Sequence, residues 1–295
     1  MHSRVRLVDT SLSLVSLPRL MAETVGIPCL KIGLIDGPVM SDHPGFTDSR
    51  IYHLRPSNTL SRGMRGSAAV LHGTAIAGIL VGSPTAGALG ICRGATLLSC
   101  AVFAPQPSGT SATPSELADA IVQLANAGAR VINMSLSLDL AMSAPSTTLE
   151  QALSYAATRG VLVVAASGNG ASIDSTAITR HRAVVPVVAY DLAGRPVQNS
   201  NLGRSIGQRG LGAPGEGVIS LSADGGSRPF GGSSAATAIV TGAIALLWSQ
   251  FPSATYETIR DAVTRSIPRR ASVVPPLLDA WRAYETLLAQ TTPRS

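Results

Sequence analysis

The chain has 295 residues, 45% of them hydrophobic and only 14% charged, which is enough apolar material for a large buried core and excludes a disordered chain. The net charge is +6, but it is carried by one lysine and by scattered arginines (Arg62 and Arg65, Arg180 and Arg182, Arg269 and Arg270); with 4% aromatics to stack bases, this argues against nucleic-acid binding and suits acidic peptides better. Three cysteines, Cys29, Cys92 and Cys100, form neither a disulfide framework nor a CxxC zinc pattern and read as reduced, mostly buried thiols.

In chain order, residues 1–27 carry no signal-peptide pattern, because Asp9, Pro18 and Arg19 interrupt the apolar stretch. They read as an N-terminal arm before a single domain over 28–295, with a cytoplasmic location expected. KIGLID (31–36) is a short apolar strand ending in an acid, and 41–70 reads as a surface loop rich in Ser, Pro, Gly and Arg. HGTAIAGILVG, from His72, is a helical run of small residues. ATLLSCAVF (95–103) is strand-like and 104–112 a second loop. Thr113–Pro114 with Glu116 opens a helix that Gly128 closes. ARVINMSL (129–136) is strand-like; Thr147 with Glu150 has capping-box spacing for a helix stopped at Gly160. GVLVVAA (160–166) and AVVPVVAY (183–190) are strands.

GLGAPG (210–215) matches GxGxxG formally, but Pro214 lies inside it, no clear strand leads in and no helix follows, so a dinucleotide site is not expected. GGSSAATAIVTGAIALLW opens a helix ending near Gln250; its most continuous apolar part, Ala238 to Trp248, is too short to span a bilayer. Beyond Pro252, ATYETIRDAVTRS and PPLLDAWRAYETLLA read as two terminal helices. This alternation predicts an α/β three-layer sandwich: a central, mainly parallel sheet with helices on both faces. Active sites of such sheets gather at the carboxyl ends of the strands.

Four positions are chemical candidates on that rule. Asp36 ends its strand between apolar residues and a Gly37–Pro38 turn, which fits a structural turn aspartate as well as a catalytic one. His72, placed at a helix start, would aim its ring into the cleft. Ser234 follows two glycines at the head of a helix of small residues, where it could cap the helix or be presented as a nucleophile. Asn169 follows a strand within SGN, where its amide could face a developing oxyanion or serve a turn. A hydroxyl, an imidazole to take its proton and a carboxylate to hold the imidazole's tautomer are the parts of nucleophilic acyl transfer.

With these segments together the chain resembles the subtilisin-like serine proteases, over roughly residues 30–290. HGTAIAG matches the family's HGTxVAG, GSSAATAIVTG its GTSxAxPxVxG, and the order Asp36, His72, Asn169, Ser234 is the family's. The resemblance implies a subtilisin-like fold and a serine endopeptidase with Asp36, His72 and Ser234 as triad and Asn169 as oxyanion donor. It also implies that Ser135, Leu136 and Ser137 pair with extended substrate, and that Ala166, Ser167 and Gly168 flank the first specificity pocket. IDGPV…HP resembles the cyanobactin-type leader peptidases, implying selective cleavage of a peptide precursor.

The chain departs from the family at four points. Gly37–Pro38 stands where Ser or Thr and then Gly usually follow the aspartate. Gly45 stands where many members carry a calcium-binding aspartate, so no metal and no cofactor are expected. Ser137 replaces a glycine, which would narrow the substrate edge. Ala238 replaces a proline, which leaves peptide ligation or macrocyclisation on the same triad as an alternative. A catalytically inactive peptide-binding pseudoprotease is the other. The expected partner is a peptide or protein substrate, with no nucleic acid and no membrane.

Overall fold

Both faces of the central sheet are covered, which is why its strands read as nearly unbroken apolar runs. The computed structural model describes residues 11–55, 66–102, 112–136, 146–265 and 272–291. Seven strands form the sheet: β1 Lys31–Asp36, β2 Arg50–His53, β3 Thr96–Ala101, β4 Val131–Met134, β5 Leu162–Ala166, β6 Val184–Tyr190 and β7 Leu211–Pro214. Their order is β2-β3-β1-β4-β5-β6-β7, and every neighbouring pair is parallel. From β1 the chain first runs to the edge strand β2, returns to β3 beside β1, and then crosses over to build the sheet outward from β4 to β7. The carboxyl end of β1, between β3 and β4, is therefore the switch point where a crevice opens.

Successive residues of each strand face opposite layers. Leu162 and Val164 belong to one core and Val163 and Ala165 to the other. The first core is covered by helices α1 (Leu17–Glu23), α2 (Ala68–Val81), α7 (Gly232–Gln250), α8 (Tyr256–Arg265) and α9 (Ala280–Thr291); the second by α3 (Pro114–Asn126) and α4 (Thr147–Thr158). Two short helices, α5 (Ala177–Arg180) and α6 (Arg204–Arg209), flank β6. The expected three-layer architecture is thus present, and the sheet is wholly parallel.

Several expectations shift in detail. The segment read as a loop, 41–70, contains edge strand β2 and the head of α2. Most of the loop expected at 104–112 lies outside the described residues. The box at Thr113 and Glu116 forms as expected, but α4 is capped by Ser146, so Thr147 is its first helical residue. Residues 211–214 of GLGAPG are themselves strand β7, and an antiparallel hairpin follows, β8 (Val218–Leu221) with β9 (Ser227–Phe230). In the N-terminal segment, Leu17 and Leu20 of α1 are fully buried in the first core, and the Ala280 N–H donates to the Val15 carbonyl at 3.0 Å. Helix α7 has 19 residues, longer than its apolar run suggested and long and apolar enough to cross a membrane; its burial in the first core is what accounts for that apolarity.

Candidate active site

Asp36 ends β1 at the switch point, fully buried, and its Oδ1 lies 2.7 Å from Nδ1 of His72. The same oxygen accepts the Gly37 N–H at 2.6 Å, while Oδ2 is buried without a hydrogen-bond partner. His72 is not at a helix start. Ser67 caps α2, which begins at Ala68, so the histidine sits a full turn inside the helix and reaches sideways to the carboxylate.

That reach depends on how closely α2 approaches the turn after β1. A Cβ on Gly37 would fall 2.0 Å from the Ala69 carbonyl oxygen, and one on Gly73 would fall 2.3 Å from the Gly37 carbonyl oxygen. The Gly37 departure is thus a packing requirement: any side chain there would push α2, and His72 with it, off Asp36. The His72 side chain is 29% exposed. Burial pulls its pKa down, but the Asp36 charge and the hydrogen bond that His72 donates to Asp36 outweigh it, and the net result is raised above the ordinary histidine value.

Ser234 is the third residue of α7. The N-cap is Gly231 and no side chain caps the helix, so Ser234 does not serve as a cap. Its hydroxyl donates to the Ser135 carbonyl at 2.9 Å, and the Ser135 hydroxyl donates back to the Ser234 carbonyl at 3.1 Å. The carboxyl end of β4 and the head of α7 are thereby clamped together. Behind the clamp, Asn133 donates from Nδ2 to Ser135 Oγ at 2.7 Å and accepts from Thr241 Oγ1 at 3.0 Å. Sequence reading missed Asn133 and Thr241. Each was detectable as a polar residue inside an otherwise apolar segment that has to be buried.

Asn169 is exposed at the end of β5, and its Oδ1 accepts the Ser233 N–H at 2.9 Å. A simple turn asparagine would not bond a residue 64 positions away. With the oxygen held, Nδ2 keeps its two protons to donate on the face next to Gly232. Gly232, at φ +74°, keeps that face open, since a Cβ there would sit 3.0 Å from Nδ2. Phe230 of β9 packs edge-on against the His72 ring at 5.3 Å between centroids, a second contact the sequence did not reveal.

The remaining expected positions fall along the same rim. Ser135 and Leu136 follow β4 and are buried; Ser137 lies outside the described residues. Ala166 ends β5, Ser167 is held by its N–H to the Val187 carbonyl at 2.9 Å, and the Gly168 carbonyl accepts the Asn201 N–H at 3.0 Å. Ser167 Oγ is buried without a partner. At Gly45, a Cβ would meet Leu221 of β8 at 2.6 Å, so no side chain, and no carboxylate, fits there. Asp36, His72, Asn169 and Ser234 therefore share the carboxyl edge of one sheet, with an exposed amide, a serine at a helix head and an acid–imidazole pair.

Residues 29–283 match the model of the Subtilase family, Peptidase_S8. The thermophilic serine proteinase of Bacillus sp. (strain AK1) is 36% identical over 181 residues, which cover 61% of this chain and 43% of that protein. The chain thus matches less than half of that relative's length. Among solved structures, a mutant of the protease domain of PatA superposes with a TM-score of 0.82 at 29% identity, covering 91% of this chain and 98% of that one. The prenylagaramide maturation protease PagA gives 0.82 at 28% identity, covering 92% and 98%.

Proposed function

This chain belongs to the subtilase family, and from that premise we propose that it is a serine endopeptidase that cuts a peptide precursor through an acyl-enzyme. The observation that carries the reading is the 2.7 Å Asp36–His72 pair at the switch-point crevice, on the same rim as Ser234 and Asn169. Asp36 fixes the imidazole tautomer by accepting from Nδ1, which leaves Nε2 to act as base. Ser234 Oγ turns from the Ser135 carbonyl toward that nitrogen, loses its proton to it and attacks the scissile carbonyl. The resulting oxyanion is held by Asn169 Nδ2 and the Ser234 backbone N–H. His72 then protonates the leaving amine, and water resolves the ester by the reverse sequence.

Extended substrate lies along Ser135–Ser137, with Ala166, Ser167 and Gly168 beside its first side-chain pocket. The rim clamped between Ser135 and Ser234 supports one selective cut over general digestion. Two similar structures are of proteins named as maturation proteases, for patellamide and for prenylagaramide, which supports precursor processing, such as leader removal, in this subgroup. An exposed free thiol at Cys29 fits a reducing, cytoplasmic setting. Labelling by a fluorophosphonate probe, lost in Ser234→Ala, tests the nucleophile; an unlabelled parent chain would identify a pseudoprotease. Incubation with a precursor peptide tests the rest. One defined linear cut is expected, scattered cuts would overturn selectivity, and joined or cyclic products would assign ligation instead.

A further inference from the structure

A cluster of arginines lies away from this rim. Arg195 and Arg228 are ion-paired with Asp191 and Asp224. At the opposite, amino-terminal edge of the sheet, a cavity of about 710 Å³ opens between the end of α4, the start of β6, α6 and α8. Its volume falls within the roughly 300–1,000 Å³ of ordinary ligand pockets. Four arginines line it, Arg182, Arg209, Arg260 and Arg265, against two carboxylates, Glu257 and Asp261. Asp261 is divided between Arg265 at 3.2 Å and Arg260 at 3.9 Å.

Arg209 is held in place by the Thr179 and Arg180 carbonyls, which accept from one of its terminal nitrogens at 2.9 Å each, while its buried Nε has no partner. Held by two carbonyls, this guanidinium is fixed in orientation at the cavity wall. His181, also in the lining, is pushed below its ordinary pKa by burial and by Arg182 and Arg209, against the pull of Glu150.

We propose that this cavity is an exosite for a carboxylate-rich stretch of the peptide substrate. Arg260 and Arg265 alone are separated by more than a helical turn, about 7.5 Å along α8, with Arg182 and Arg209 on other elements. One small oxyanion cannot engage all four, whereas carboxylates spaced along a chain can. Ala157, Val184 and Tyr256 supply apolar contact between them. Because β6 alone spans about 20 Å from this edge to the other, the acidic stretch must lie several residues away from the bond that is cut.

The assignment of the occupant rests on the peptidase reading, and its test separates the two. Fluorescein-labelled hexaglutamate is titrated by anisotropy into the full chain carrying Ser234→Ala. Saturable binding is expected, absent for hexaglutamine, and about tenfold weaker in Arg182→Gln/Arg260→Gln but retained in Arg182→Lys/Arg260→Lys. The same Gln pair placed in the active chain is expected to leave cleavage of a short uncharged peptide unchanged. Unchanged hexaglutamate affinity in the Gln pair, no saturable binding, or displacement by inorganic phosphate as effective as by unlabelled peptide would overturn the exosite. Failure of the parent chain to cleave any peptide would overturn the peptidase reading instead and leave the hexaglutamate result to stand by itself.

Discussion

The two halves of the candidate site are held by different means. The Asp36–His72 half is fixed by backbone: two glycines let α2 close onto the turn after β1, and the hydrogen bond at 2.7 Å follows from that approach. The Ser234–Asn169 half is fixed by side chains. Its hydroxyl and amide are placed through Ser135, Asn133, Thr241 and the Ser233 N–H. Backbone packing can be broken only by moving a helix, whereas a side-chain clamp can open by one rotamer change. The arrangement therefore combines an aspartate–histidine pair fixed by backbone with a serine hydroxyl held on the Ser135 carbonyl.

Substitutions that delete a reacting group should hurt most, whichever half they strike. Ser234→Ala should lower kcat for peptide hydrolysis by roughly 10⁴–10⁶-fold, leaving what the oxyanion donors and binding supply. Retention of more than a tenth of the parent rate would remove Ser234 from the chemistry. Asp36→Asn should cost about 10⁴-fold by disturbing the imidazole tautomer. It should also move the rising limb of the pH–rate profile downward, because the two influences that raise His72 are lost and only burial remains. A limb that stays in place would mean that Asp36 does not govern His72.

The sign of the His72 shift also links activity to stability. A folded-state pKa above the unfolded value contributes stability that is fully present below about pH 6.5 and is lost as pH rises through the raised folded value. Catalysis needs the neutral imidazole, so the rate should climb over the same window in which that stability fades. Parallel pH series of rate and urea midpoint would show the two moving oppositely.

Smaller effects separate the halves more sharply. Asn169→Ala should lower kcat by about 10²–10³-fold with KM little changed, since its donor matters mainly once the oxyanion forms. Gly73→Ala should destabilise the fold by about 1–3 kcal/mol in urea titration and depress kcat as well, because the new Cβ meets the Gly37 carbonyl oxygen. Ser135→Ala leaves Asn133 Nδ2 buried without its partner, at about 1–3 kcal/mol, and should change kcat less than tenfold. If the Ser135 change harmed catalysis more than the Gly73 change, the contrast between a rigid half and an adjustable half would be wrong.

Runs such as VINM and LVVAA determined by themselves that the sheet is parallel and covered on both faces, because only doubly buried strands dispense with alternation. Strand-end position and residue chemistry also picked out Asp36, His72, Asn169 and Ser234, since those depend on local pattern and on segment order. Edge strand β2 was not legible: Arg50–His53 is only four residues long, half-exposed, and flanks its Ile51 and Tyr52 with polar residues inside a loop-like segment. The same holds for the clamp from Thr241 through Asn133 to Ser135, whose partners lie up to 108 positions apart. Whether Ser234 was a cap, why Gly37 replaces a hydroxyl residue, and where the arginines gather were settled by tertiary packing alone. Those outcomes depend on which distant backbones come within contact of one another, a quantity that no local window of sequence contains.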